Sequence, residues 1–179
     1  MDMPHKRDYV FCPYCATRLE ARLAFDRVRP VCPSCNFVQF HDPKVAVIAL
    51  ATWADRVLLI RRGVEPMKGM WALPGGYMDA GETPTDALAR ELQEEVGIGV
   101  RIVGLLDVYP MVGKGVVSQG IVLAYHCVVE DEQIPRLVCQ DDVTDAAWFQ
   151  PDRLPEDLAF ASTQTLLAEW KAQGYDHVA

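Results

Sequence analysis

The chain has 179 residues, half of them hydrophobic and 23% charged, a balance that fits one folded domain with a small appendage and excludes a disordered chain. Its 17 basic and 25 acidic residues leave a formal charge of −8, which argues against a protein whose main work is coating nucleic acid. The longest apolar run, Val45 to Trp53, is less than half the roughly twenty residues of a bilayer-crossing helix, and Met1–Asp8 lacks the apolar stretch of a signal peptide, so a soluble cytoplasmic protein is expected.

Four of the six cysteines come first and form two knuckles, Cys12-Pro13-Tyr14-Cys15 and Cys32-Pro33-Ser34-Cys35, separated by 16 residues. Two such turns present two pairs of thiolates to one tetrahedral Zn²⁺. The segment Arg18–Pro30 between them is too short and too polar to build a core. A structural zinc would supply the missing stability, on the order of 10 kcal/mol. Two disulfides are the alternative, disfavoured in a reducing compartment, and a redox pair would not need the second knuckle. Four thiolates close the coordination shell, so Cys12, Cys15, Cys32 and Cys35 point to a structural ion. Cys127 and Cys139 are expected to be small apolar fillers.

Charge changes near His41-Asp42-Pro43: residues 1–44 carry seven basic and five acidic side chains, and the remainder ten and twenty. The domain boundary is placed there, giving residues 1–43 and 44–179. Beyond it, Lys44–Trp53 reads as a buried strand and Arg56–Arg61 as its hairpin partner across Ala54-Asp55. A Gly/Pro-rich stretch from Gly63 to Gly81 follows, interrupted by the short apolar piece Met70–Leu73. Thr83 then caps a helix, with Pro84 in its first turn and Asp86 placed to close a capping box. That helix should run to Val96 and stop at Gly97. Val100–Tyr109, Val116–Val129 and Ala146–Phe149 look like strands, and a last helix spans about Ser162 to Ala172 and ends at Gly174. This order suggests an α/β sandwich with a mixed sheet.

The first helix carries the chemistry. Glu91, Glu94 and Glu95 are spaced by three and four, so they share one face, and Ala87 continues it. Leu88, Leu92 and Val96 fall on an adjacent face that should dock on the sheet. Three crowded carboxylates are commonly a solvated acidic surface, and the flanking pattern shifts the balance toward a cation site. Oxygen ligands suit Mg²⁺ or Mn²⁺. The turn Pro74-Gly75-Gly76 can bring a backbone carbonyl close to the same ions, because glycine permits tight approach. Glu82 at the helix entrance adds a further carboxylate. Arg90, beside Glu91 and four residues before Glu94, can fix a carboxylate in orientation.

The run Gly76-x₅-Glu82-x₇-Arg90-Glu91-Leu92-Gln93-Glu94-Glu95-Val96-Gly97-Ile98 resembles a complete Nudix box, with Gly69–Gly76 leading into it, and the likeness extends over roughly residues 44–172. A four-cysteine ribbon before such a domain is similar to the zinc-ribbon branch that includes FAD and ADP-ribose pyrophosphatases, as is, more weakly, the segment Asp157-Leu158-Ala159-Phe160-Ala161-Ser162. The resemblance implies a Nudix-type α/β/α sandwich with a mixed sheet behind a small zinc ribbon. It implies hydrolysis of a nucleoside diphosphate linked to another group, with Glu91, Glu94 and Glu95 holding Mg²⁺ or Mn²⁺, the Gly75 carbonyl as a further ligand, and Arg90 and Glu82 in the catalytic set. Glu91 is the candidate general base. Because some members use an acid outside the box, Glu130, Asp141 and Asp142 stand beside it.

The box leaves the substrate open. ADP-ribose or FAD, releasing AMP, is the first expectation. NADH pyrophosphatases pair a ribbon with this box and carry Ser-Gln-Pro-Trp-Pro-Phe-Pro after it, where this chain has Leu105-Leu106-Asp107-Val108-Tyr109-Pro110-Met111-Val112. Triphosphate-sanitising enzymes of the 8-oxo-dGTP type share the box and seldom carry the ribbon. A different class, an RNA-binding or nucleotide-sensing ribbon protein, draws weak support from the +2 charge of residues 1–44. Trp53, Trp71, Tyr77, Tyr109 and Tyr125 are candidates for stacking on a base, against ordinary core packing. Trp71 and Tyr77 are carried forward as substrate-binding, and Tyr77 is set apart by its place in the phosphate-proximal loop. His126, in an apolar strand, reads as a satisfied core histidine. The partner expected is a nucleotide, and the resemblance adds a homodimer.

Overall fold

In the computed structural model, which describes residues 9–111, 120–130 and 134–173, the polar segment between the cysteine pairs folds as a hairpin. Strands β1 (Glu20–Ala24) and β2 (Arg27–Val31) pair antiparallel from Glu20↔Val31 to Ala24↔Arg27. Their turn residues Phe25 and Asp26 both have positive φ, 51° and 58°, the conformation whose twist matches a two-residue hairpin. The hairpin has little core: the cross-strand pair Leu23 and Val28 is 78% and 69% exposed, while Cys12 and Cys32 are buried. Stability in this unit, Met1–Pro43, therefore rests on what the cysteines hold together.

The second unit, Lys44–Ala179, is built on a mixed sheet. β3 (Lys44–Trp53) lies parallel to β7 (Gly120–Val128) over nine register pairs, Lys44↔Gly120 to Thr52↔Val128. β6 (Arg101–Pro110) pairs antiparallel on the other side of β7, and β8 (Val143–Phe149) pairs antiparallel along β4 (Arg56–Arg62). The sheet order is β5-β4-β3-β7-β6, β5 being the two residues Trp71–Ala72, with β8 on β4. Along β3, Val47, Ala49 and Ala51 enter the core on one face, and Ile48 and Leu50 pack on the other. Period-two alternation with both faces apolar is how a strand covered on two sides must read.

Two helices supply the cover. α1 (Pro84–Val96) buries Ala87, Leu88, Leu92 and Val96 against Val47, Ala49, Leu58 and Cys127, and α2 (Ala161–Gln173) buries Leu166, Leu167 and Trp170 against Leu50, Val57, Leu59 and Ala124. Each of these leucines contributes about 1.5–3 kcal/mol by leaving water. The result is the expected α/β/α sandwich with a mixed sheet. α1 begins and ends where its sequence directs. Thr83 Oγ1 accepts the Asp86 N–H at 3.2 Å, Pro84 takes the first turn, and Gly97, at φ 70°, caps the other end by donating its N–H to the Gln93 carbonyl. The Asp86 carboxylate turns to the Thr83 hydroxyl, 2.6 Å away.

Some boundaries differ from expectation. β8 starts at Val143 rather than Ala146, its β-branched start being masked in the sequence by Asp145. The expected strand Val116–Val129 is seen from Gly120 to Val128; its first four residues lie outside the described residues, as do Met1–Asp8, Val112 and Gly174. Cys127 is a buried filler, but Cys139 is exposed, because its segment runs along the outside of the C-terminal end of α1, where Val138 and Gln140 donate their N–H groups to the carbonyls of Val96 and Glu95.

β3 and β4 share only the pairs Thr52↔Val57 and Trp53↔Arg56 before they splay. The segment after β5 fills the wedge: β5 itself sits on β4 (Ile60↔Ala72, Arg61↔Trp71). The chain then crosses to β3, where the Pro74 and Gly76 carbonyls accept the Ala49 and Val47 N–H groups and Met78 N–H donates to the Val45 carbonyl. The Gly/Pro-rich stretch is thus an irregular strand sewn into the sheet.

Candidate functional site

Close approach of this segment to β3 requires glycine. Gly75 has φ +138°, and a β-carbon there would run into the Val47 carbonyl oxygen. With Pro74 and Gly76 turned toward β3, Gly75 is turned the other way and donates its N–H to Glu95 Oε2 at 2.8 Å. A β-carbon on Gly76 would stand 2.5 Å from Glu91 Oε1, so the second glycine leaves the space that the Glu91 carboxylate fills. The turn and the helix are fitted to one another through these two residues.

The three glutamates share a face of α1 and have different surroundings. Glu95 is only 3% exposed. Burial raises its carboxyl to about 8, the charges of Glu91 and Asp142 add to the rise, and the Gly75 N–H and the Arg62 charge oppose it. Glu91 is raised as well, by burial first, with Arg90 pulling the other way. Glu94 has half of its side chain in solvent. Arg90 joins them. Its Nη1 donates to Glu91 Oε1 at 2.8 Å and to Glu94 Oε2 at 3.0 Å, its Nη2 to the Tyr77 carbonyl at 3.0 Å, and its Nε and Nη2 form a fork on Glu82 at 2.7 and 2.9 Å. Glu82 also accepts the Asp79 N–H at 2.8 Å. These bonds, Arg90's foremost, hold its carboxyl down at about 2.

The donor set fits a hard divalent cation. Two desolvated carboxylates, Glu91 and Glu95, face each other's charge and that of Asp142, and a bound dication would offset that repulsion. Arg90 stands between Glu91 and Glu94, and Glu95 rests on Gly75. Among the described residues, the cysteines alone form a group of three or more ligands within 4.8 Å of one another.

The cysteine group fits Zn²⁺. Sulfur separations of 3.5 Å (Cys12–Cys35), 3.4 Å (Cys15–Cys32) and 3.6 Å (Cys15–Cys35) lie far beyond a covalent S–S bond and near the roughly 3.8 Å edge of a tetrahedron with Zn–S of about 2.3 Å. Each knuckle closes alike: the Ala16 N–H donates to the Cys12 carbonyl and the Asn36 N–H to the Cys32 carbonyl, both at positive φ.

Of the aromatic candidates, Tyr77 is tied to the carboxylate group through its backbone carbonyl, which accepts from Arg90 Nη2. Its ring is half exposed, Lys44 Nζ stands 4.6 Å from the ring centre, and its hydroxyl meets Met111 Sδ at 3.6 Å. Trp71 is not brought there. It packs on the α2 side, edge-on to Phe149 at 5.0 Å. Trp53, Tyr109 and Tyr125 pack around the two cores. His126 is buried, 3.2 Å from Thr52 Oγ1.

Among the acids outside the helix, Asp142 is brought to the site and Glu130 is not. Glu130 is exposed and paired with Arg101. Asp142 is anchored through its carbonyl to the Gly63 N–H at 2.6 Å, and its charge is felt by Glu91 and Glu95. The influence of Arg62 on Glu95 has no local signal in the sequence: it arises because β4 runs beside β5 and β8.

Comparison with known proteins agrees with this geometry. The family model described as NUDIX domain matches residues 41–170. The chain is 35% identical over 121 residues to an ADP-ribose pyrophosphatase of Methanocaldococcus jannaschii, covering 68% of this chain and 69% of that protein. It is 32% identical over 149 residues to the NAD-capped RNA hydrolase NudC of Pseudomonas aeruginosa, covering 81% of this chain and spanning about half of that protein's length. The crystal structure of a NUDIX hydrolase from Nitrosomonas europaea superposes with a TM-score of 0.81 at 26% identity, covering 92% of this chain and 91% of that one.

Proposed function

The chain belongs to the NUDIX family, and from that premise we propose that it hydrolyses the diphosphate of a nucleoside diphosphate joined to a second group, ADP-ribose before FAD, releasing AMP. The observation that carries the reading is the fit of the Glu91 and Glu95 carboxylates, both desolvated and both raised, to the double-glycine turn.

In this proposal Glu91, Glu94, Glu95 and the Gly75 carbonyl hold Mg²⁺ or Mn²⁺. When bound, such an ion supplies charge neutralisation of the diphosphate and polarisation of the attacking water. The chain's own residues do the rest. Arg90 fixes the carboxylates of Glu91 and Glu94, and Glu82, gripping Arg90 from behind, fixes the guanidinium. Glu91 takes the proton of the water as its oxygen bonds to phosphorus, and the bridging P–O bond breaks with its electron pair leaving on the second phosphate. Asp142 is the alternative base. Tyr77 offers a ring face for a base. The cysteines hold a structural Zn²⁺, the free thiols suit a reducing cytoplasm, and a homodimer belongs to the same proposal. Among the described residues no helix is long and apolar enough to cross a membrane.

A second reading, hydrolysis of an NAD-type dinucleotide or cap, is favoured by the NudC match, which is longer than residues 44–179 alone and so enters the cysteine unit. Product analysis with Mg²⁺ and a panel of ADP-ribose, FAD, NADH and 8-oxo-dGTP tests both. AMP from ADP-ribose or FAD, lost in Glu94→Gln/Glu95→Gln, supports the first. Turnover of NADH alone moves the protein to the second, and pyrophosphate from the triphosphate alone overturns both.

A further inference from the structure

Arg90 is committed within the site: its nitrogens reach Glu82, Glu91, Glu94 and the Tyr77 carbonyl. Arg62, the last residue of β4, is a cation of another kind. Leu58 and Ile60 of that strand enter the α1-side core, and Val57 and Leu59 the α2-side core, so by alternation Arg62 continues the α1 side. The register shift beside it leaves this intact, because the extra residue, Thr144, belongs to β8. Arg61 turns the other way, to Trp71. Gly63, next in the chain, donates its N–H to the Asp142 carbonyl, and Glu95 feels the Arg62 charge. Arg62 therefore faces the carboxylate site.

The guanidinium is held from two sides. Its Nε donates to the Pro66 carbonyl at 2.8 Å, and its Cζ stands 5.1 Å from the centre of the Phe160 ring. Phe160 is fixed in turn, at φ 56°, with its carbonyl accepting the Gln164 N–H at the start of α2. Among the described residues no acceptor meets Nη1 or Nη2, and no carboxylate pairs with the charge. A half-buried cation with its two outer nitrogens left over is prepared for an anion. We propose that Arg62 binds the diphosphate of the substrate, Nη1 and Nη2 forming a fork on phosphate oxygens, with Phe160 as the positioning residue behind it. A planar fork matches phosphate oxygens where a point charge does not. The assignment rests on the reaction proposed above, and adds to it a binding residue from β4, outside the glycine turn and α1.

Calorimetry of the full, zinc-loaded chain with methylenediphosphonate, a diphosphate analogue whose carbon bridge resists hydrolysis, tests it at saturating Mg²⁺. Arg62→Gln is expected to weaken binding about 10–100-fold, as two hydrogen bonds to charged oxygens are lost, and Arg62→Lys to recover part of it. Phe160→Leu is expected to cost about two- to fivefold, and Phe160→Tyr little. Mn²⁺ affinity, measured without the diphosphonate, should be unchanged or tighter in Arg62→Gln, because a cation beside Glu95 is removed. With ADP-ribose the same variant should raise KM by a similar factor and leave kcat nearly unchanged. A wild type that does not bind methylenediphosphonate, or an Arg62→Gln variant that binds it as tightly, overturns the anchor. Joint loss of Mn²⁺ and diphosphonate affinity does so too, as the mark of a merely structural arginine. A wild type that binds the diphosphonate through Arg62 and leaves ADP-ribose intact would refute the ADP-ribose reaction and support the anchor.

Discussion

The Glu91 carboxylate occupies the space that a β-carbon on Gly76 would need, 2.5 Å from it. The neighbouring glycine is required for a different reason, the close approach of Gly75 to the Val47 carbonyl at positive φ. The two positions should therefore fail differently. Gly76→Ala displaces the end of a flexible side chain, so turnover should fall by about 10²-fold with little change in melting temperature. Gly75→Ala meets backbone on both counts and should destabilise the fold by about 1–3 kcal/mol or more. Calorimetry with kcat for both variants separates them, and full activity in Gly76→Ala would remove Glu91 from the mechanism.

Arg90 holds five acceptors, and its fork on Glu82 uses two nitrogens at once. A lysine keeps the charge and loses the fork. Arg90→Lys should weaken activity or Mn²⁺ affinity by about 10–100-fold, the range found when partners of metal ligands are removed. Titration calorimetry and kcat against Mn²⁺ concentration measure it. Unchanged values would mean that charge alone suffices.

Glu82 carries a pH signature. Its carboxyl is held at about 2, below its ordinary 4.5, so its ionised form favours the folded state. That contribution is fully present above 4.5 and is lost as pH falls toward 2. Urea denaturation of the wild type and Glu82→Gln at pH 5.5, 4 and 3 should show the stability gap closing with acidification. A gap constant across that window would contradict the pairing with Arg90.

The thiols can be counted. Cys139 is exposed, Cys127 is buried with its thiol pushed up to about 12, and the four knuckle thiols converge on one point. With Zn²⁺ bound, a thiol reagent should titrate Cys139 alone, at a rate slowed because burial and the Asp145 charge raise its thiol. After chelation the four knuckle cysteines should join it, with Cys127 reacting only on unfolding. Knuckle thiols that react at the same rate before and after chelation would argue against the metal.

How much of this was legible depended on how local each signal is. Thr83, Pro84 and Gly97 mark the ends of α1 within their own turns, so its limits could be read to the residue. The glutamate spacing gave a shared face but not the difference between buried Glu95 and half-exposed Glu94, which is set by the sheet on one side of the helix. Trp71 and Tyr77 are both aromatics near the turn, and in sequence only the place of Tyr77 inside the phosphate-proximal loop sets it apart. They part because the chain crosses from β4 to β3 between them. Asp142 stood level with Glu130 and Asp141 in sequence, and only the path of its loop past α1 brings it near Glu91 and Glu95.

The wedge between β3 and β4 also fixes how long the segment through Pro74 can be. Its backbone groups alternate, Pro74 and Gly76 toward β3 and Gly75 toward Glu95. Deleting or inserting a single residue between Ala72 and Gly75 would exchange the two sides, leaving a carbonyl where the buried carboxylate now finds an N–H. Changes of length in this segment should therefore be tolerated only in steps of two, a constraint more typical of a strand than of a loop.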